Sequence, residues 1–260
     1  MAYYKRLTAG AMALGLSAAA LVAQPAEEFS DNYDSGDDSA YSHYDPISAV
    51  TGVPWGSWTL GNGAYTLSAD ASPNPAALGP ARLASFRNGF DSGDFNASVD
   101  IVDWDGAQAA LFGIAGRVNS PGLGSTSGYL FGYDNSTQML TISRIANEAL
   151  VEAIAEITFT LDPAKDYRLM ASAVGTTFSL TAYDAAEPAS PLAFITGSDA
   201  TLATGSIGLA ILNNSFEAGG TAMAAFDNFN AVAVVVPEPG TLALLGVLGA
   251  GLALASRRRK

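Results

Sequence analysis

The chain has 260 residues, with 25 acidic against 12 basic side chains and a formal net charge of −13. A surface this negative repels phosphate backbones, which sets nucleic acid aside as a partner. Cysteine is absent and histidine occurs once, at His43, so disulfides, thiolate nucleophiles, sulfur-based zinc sites and catalytic groups built on several imidazoles are set aside too.

The first residues, "MAYYKRLTAGAMALGLSAAALVAQPAEE", place Lys5 and Arg6 before an apolar run from Leu7 to Ala23. A cationic head, a short apolar core and small residues at its end make the pattern of a secretory signal peptide over 1–23, cut after Ala20 or Ala23. The expectation is export, with no cysteine for lipid attachment.

Residues 24–235 read as one domain. Six cations (Arg82, Arg87, Arg117, Arg144, Lys165, Arg168) face 24 acids between the two ends, a formal −18. At its start "SDNYDSGDDSAYSHYD" gathers Asp31, Asp34 and Asp37 among small residues. Calcium takes six to eight oxygen ligands, so these three are candidate calcium ligands, against a solvated entry segment as the plainer reading. His43, with Tyr41 and Tyr44, has no triad pattern around it and reads as structural. In "PWGSW", Trp55 and Trp58 offer broad apolar faces that suit stacking on sugar rings, as does Trp104 further on.

The segments that follow alternate with period two between turn residues, as strands with one dry and one wet face do. "FNASVDIVDW" puts Phe95, Ala97, Val99 and Ile101 on one face, "EITFTL" puts Ile157, Phe159 and Leu161 there, and "TFSLTAYD" puts Phe178, Leu180 and Ala182 there. Asp103 and Asp105 flank Trp104 as the nearest thing to a catalytic carboxylate pair, with a solvated face as the bland alternative. Asp134, Asn135 and Ser136 suit a hairpin turn, and Gly175 a second. "NEALVEAIAE" competes as a helix, but Glu148, Glu152 and Glu156 would repel one another at a spacing of four, so it reads as a strand entrance with a short helical turn. "SDNYD" near the start echoes "FDNFN" near the end, which predicts that the first and last strands lie side by side. The fold class is all-β, an antiparallel two-sheet jelly-roll sandwich.

The stretches "SPNPAALGPARLASF", "VDIVDWDGAQAALFGIAGRV", "GYLFGYDNSTQMLTISRI" and "TLDPAKDYRLMASAVGTTFSLTAYD" resemble exported bacterial proteins with a concanavalin A-like or laminin-G-like body. That resemblance implies sugar or protein binding in many members and glycosidase activity in some. Jelly-roll glucanases of this type carry Glu-x-Asp-x-x-Glu on one strand, and no such string occurs here. No residue is assigned a catalytic role, and no cofactor beyond calcium is expected.

The chain closes on "VPEPGTLALLGVLGAGLALASRRRK". Thr241 to Ala255 is an apolar run of roughly 22 Å as a helix, short for a bilayer core of about 30 Å unless tilt or thinning helps. Pro237 and Pro239 bar the helix from extending backwards, and Arg257, Arg258, Arg259 and Lys260 hold the end on the cytoplasmic side. The order of motif, apolar helix and basic stop over 236–260 resembles the PEP-CTERM sorting signal of Gram-negative bacteria. The resemblance implies recognition at Pro237, Glu238 and Pro239 by an exosortase, removal of the tail, and delivery from the inner membrane to the cell surface or extracellular matrix. Together these readings predict an exported, non-catalytic protein that binds or structures extracellular polysaccharide. A glycoside hydrolase or lyase and a calcium-dependent adhesive module are the alternatives.

Overall fold

A computed structural model describes residues 27–91, 93–215 and 220–234; the expected signal peptide and sorting segment lie outside the described residues. In chain order the strands are β1 (Glu28–Asp31), β2 (Tyr41–Tyr44), β3 (Gly56–Gly61), β4 (Ala64–Asp70), β5 (Ala81–Asp91), β6 (Phe95–Trp104), β7 (Ala110–Asn119), β8 (Ser127–Asp134), β9 (Met139–Ala146), β10 (Ala149–Thr158), β11 (Tyr167–Val174), β12 (Thr177–Asp184), β13 (Pro191–Ser198), β14 (Ser206–Asn213) and β15 (Thr221–Ala233). Two four-residue helices, α1 (Ser48–Thr51) and α2 (Pro75–Leu78), sit between them.

The strands pair into two antiparallel sheets. Sheet A runs β13-β12-β11-β6-β15-β4-β3 with β1 also on β15, and sheet B runs β10-β9-β8-β7-β14-β5-β2. The echoed pentapeptides do pair, with Ser30 opposite Asn230 and Asp31 opposite Phe229. Alternate residues of both sheets meet in one core, including Phe95, Val99 and Ile101 of β6, Phe178 and Leu180 of β12, and Phe112 and Phe131 of sheet B. Burying such side chains supplies about 1.5–3 kcal/mol each, which is what holds the two layers face to face.

Three features depart from simple alternation. Ile101 pairs with Phe226 while Asp103 pairs with Ala225, so Val102 is an extra residue in β6. A bulge of this kind reverses which face the following side chains take. On β15 the register slips between Asp227 and Asn230, where Asn228 takes a φ of +50. The third is β10: "NEALVEAIAE" forms no helical turn but a full strand at the border of sheet B, preceded by a two-residue turn at Asn147 and Glu148. The strand ends at Thr158, so Ile157 does not share a dry face with Leu161 beyond it and is 44% exposed.

Sheet B curls strongly. Three strands lie between β9 and β5, four steps of about 4.8 Å each if flat, yet Glu148 beyond β9 bonds Arg82 of β5. Small residues line the inside of the curl: Ala84, Ala210, Gly113 and Gly132 form one cross-strand row. A Cβ on Gly132 would stand 2.4 Å from the Phe112 carbonyl oxygen, so this position admits no side chain. The curl encloses a second, smaller apolar cluster with Phe86, Leu111, Val118 and Leu130.

Candidate functional site

The outer face of sheet A carries a shallow groove in which hydroxyl and amide groups are set among apolar surface. Strand register builds it in cross-strand rows. One row reads Glu28, Val232, Asn96, Ser172, Ser179 and Thr196. The next reads Ser30, Asn230, Ser98, Met170, Thr181 and Phe194. Because side chains alternate, these residues point outward while Ala97, Leu169, Ala171 and Leu180 between them fill the core.

Five of the outward polar side chains, Asn96, Ser98, Ser172, Ser179 and Thr181, have no hydrogen-bond partner among the described residues. Beside them Met170 is 45% and Phe194 57% exposed, an uncommon placement for large apolar groups. Free donors and acceptors interleaved with apolar surface can both bond and stack on a ligand.

A charged row flanks the groove along one side: Asp227, Asp100, Arg168 and Tyr183. Arg168 grips Asp100 with both arms, Nε to Oδ1 at 2.6 Å and Nη2 to Oδ2 at 2.7 Å, and Asn228 Nδ2 donates to the same carboxylate at 3.0 Å. That bidentate bond raises the Arg168 pKa further. Burial, with the nearby charges of Asp100 and Asp34, raises the Asp227 carboxyl above the ordinary aspartate value.

The residues singled out from sequence are scattered. Trp104 is corrected: it is 4% exposed and packs on Phe112 and Tyr167 inside the sandwich, because the bulge at Val102 turns it inward. Trp58 is half-buried, with one face covered by His43 at 4.4 Å and its Nε1 donating to the Ala84 carbonyl. Trp55 is half-buried and donates from Nε1 to Thr51 Oγ1. None of the three lines the groove. Asp103 is exposed, and Asp105 closes a turn by accepting from the Ala107 amide.

The three candidate calcium ligands are each bonded locally. Asp31 accepts from the Tyr33 amide and the Tyr41 hydroxyl, Asp34 from Asn32, and Asp37 from the Ser39 amide and hydroxyl. Asp31 and Asp37 close local turns and Asp34 bonds a neighbouring side chain, and among the described residues no three acidic or histidine side chains converge. Pro237, Glu238, Pro239 and the basic stop, Arg257, Arg258, Arg259 and Lys260, lie outside the described residues.

His43 is more connected than its sequence context indicated. Its Nε2 lies 2.9 Å from both Asp38 Oδ2 and Tyr65 Oη, and Tyr65 Oη lies 2.8 Å from Ser85 Oγ. Ser85 is fully buried and bonds to Tyr65, not to His43, so the cluster joins the sheets and does not present a nucleophile.

Inside the curl of sheet B, a latch holds the borders together. Glu148 accepts from Arg82 Nε at 2.9 Å, from the Tyr44 hydroxyl and from the Gly124 amide, while Arg82 Nη1 donates to the carbonyls of Leu78 and Pro80. Tyr44 Oη also lies 2.6 Å from Thr126 Oγ1. Burial and the bond to Glu148 raise the Tyr44 phenol pKa. Glu148 is the carboxylate of this apolar cavity and every oxygen of it is engaged, so the cavity wall is structural.

This geometry is that of an antiparallel two-sheet jelly-roll sandwich, and it is similar in fold to solved concanavalin A-like and lectin domains. The fold resembles the carbohydrate-binding module CBM66 from Bacillus subtilis, at 19% identity over 75% of this chain and 96% of that one, with a TM-score of 0.53. It also resembles a β-1,3-1,4-glucanase (lichenase) derived from a mouse hindgut metagenome, at 12% identity over 80% and 99% of the two chains, TM-score 0.55. Winged bean acidic lectin, solved with methyl-α-D-galactose, is similar at 9% identity over 80% and 98%, TM-score 0.54. At these identities the likeness is one of fold. No curated protein matches the chain in sequence. Residues 235–260 match the PEP-CTERM protein-sorting motif, so the chain carries the signal of an exosortase-sorted secreted protein, with carboxy-terminal membrane anchoring before cleavage.

Proposed function

We propose that this protein is a non-catalytic polysaccharide binder, sorted by an exosortase to the cell surface or extracellular matrix, and that it holds its ligand on the outer face of sheet A. The observation that carries the reading is the set of five polar side chains without internal partners beside exposed Met170 and Phe194. A sugar presents hydroxyls around an apolar C–H face, so it matches donors, acceptors and apolar surface in alternation. The similar fold of a carbohydrate-binding module and of a lectin supports the same reading. Catalysis has weaker support, because a glycosidase needs two working carboxylates roughly 5 to 10 Å apart and Asp100 beside the groove is tied up by Arg168 and Asn228.

The test is co-sedimentation of the purified protein with insoluble polysaccharides. Changing Asn96→Ala, Ser98→Ala, Ser172→Ala and Thr181→Val together removes several bonds of about 1 kcal/mol each, so retention on the matrix should fall at least ~10-fold with the melting temperature unchanged. Retention that is equal for both proteins would place the ligand elsewhere, and no retention on any matrix would sink the reading.

A further inference from the structure

We infer that the groove on sheet A selects an uncharged polysaccharide chain lying across the strands, and that Glu28 and Asp227 act as a filter against anionic polymers. The inference rests on the binding role proposed above and names its ligand class. Its first basis is length. The two polar rows each cross six strands, five steps of about 4.8 Å, so the surface is about 24 Å long and suits a chain in preference to a single sugar.

The second basis is charge. Binding a uronate, sulfate or phosphate on a polymer calls for a cation whose charge is not already balanced. Arg168 is the cation in the charged row beside the groove; it is paired with Asp100 through Nε and Nη2, so its charge is already balanced, and Asp227 leaves the row net negative. The other five cations of the domain are engaged elsewhere. Arg82 bonds Glu148, Arg117 bonds Asp94, Arg144 bonds Glu152, Lys165 bonds Asp184, and Arg87 lies over the rings of Phe29 and Tyr41.

Meanwhile Glu28 stands at the start of one row, opposite Val232, and Asp227 at the start of the charged row, opposite Asp100. An approaching anion meets these carboxylates beside one cation, Arg168, that is already paired with Asp100, so the anion's desolvation is not offset. A neutral hydroxyl meets no such penalty, and Asn96, Ser98, Asn230, Ser172 and Thr181 supply its partners.

The experiment is retention of the purified protein on beads of neutral polysaccharides (cellulose, chitin, a β-1,3-glucan) and of acidic ones (alginate, polygalacturonate), at low and high salt. Three proteins are compared: wild type, Glu28→Gln with Asp227→Asn, and a charge-matched control with Glu156→Gln and Glu187→Gln. Wild type should bind a neutral matrix with little salt dependence, more tightly to longer soluble fragments of it, and should pass through both acidic matrices. The Glu28/Asp227 variant should gain acidic-matrix retention several-fold while the control does not. Equal wild-type retention on acidic and neutral matrices would overturn the inference and leave the binding role standing. An equal gain in the control would assign the rejection to net charge and overturn the filter. No retention on any matrix would remove the binding role itself.

Discussion

Arg117 shows how much one side chain can decide. It is 1% exposed with a φ of +48, and it donates to the carbonyls of Gly93 at 2.6 Å, Leu202 at 2.9 Å and Gly175 at 2.8 Å and to Asp94 at 3.1 Å, while lying over the Phe178 ring. A single planar fork thus ties loops of both sheets, and burial lowers its pKa from a value so high that it stays charged. Arg117→Lys keeps the charge and loses the fork; it should cost about 3–5 kcal/mol in urea unfolding, the loss expected when a buried charge is left with unpaired partners. A cost below ~1 kcal/mol would show that water replaces the fork. Asp227 makes the opposite case. Its folded-state pKa is raised by burial and then by Asp100 and Asp34, so the folded protein holds that proton more tightly than the unfolded chain does. Its contribution to stability is therefore full at low pH and declines as pH rises from the ordinary aspartate value of about 3.9 through the raised one. Asp227→Asn should flatten that decline and raise the melting temperature at pH 7; a variant that melts with the wild type at every pH would refute the assignment.

At the scale of elements, the two-residue turn before β10 carries Asn147 and Glu148 at φ of +50 and +71, where glycine is the usual second residue. Glu148 occupies it because its carboxylate closes the latch on Arg82 and Tyr44. Glu148→Ala should cost about 3–5 kcal/mol. Glu148→Gly should cost about 1–2 kcal/mol less, because glycine adopts that backbone without strain. Equal losses from both would mean the turn stores no strain. Sequence reading expected a helical turn here, and the reason it erred is physical: nothing in the local pattern indicates that an acid in a left-handed conformation is held from four strands away. The same holds for β6, where period two correctly placed Phe95, Ala97, Val99 and Ile101 inside. One extra residue at Val102 then reversed the parity and buried Trp104.

At the scale of the whole molecule, the two ends of the described chain leave together, since Glu28 lies opposite Val232 and the Ala233 amide donates to the Glu27 carbonyl. The segment expected to be the export signal and the sorting motif therefore attach at one border of sheet A, beside the rows that begin at Glu28 and Ser30. Changing Pro237, Glu238 and Pro239 to Ala should leave the protein full-length in the membrane fraction of an exosortase-bearing host; release identical to wild type, followed by fractionation and immunoblot, would show that the motif is not what is read. Sequence by itself determined the features that depend on near neighbours. Period-two alternation follows from strand geometry, hairpin turns from Asp, Asn and Gly chemistry, and the sorting motif from a short topogenic pattern, matched over 235–260. The tertiary structure alone decided the features that depend on register. Asn96, Ser172 and Ser179 are up to 83 residues apart in the chain and form a row only when β6, β11 and β12 pair. Asp31, Asp34 and Asp37 are close in sequence and yet do not converge, because each is bonded to its own near neighbours. Ligand sites on a sheet are made by neighbours across strands, and the identity of those neighbours is a property of the folded chain.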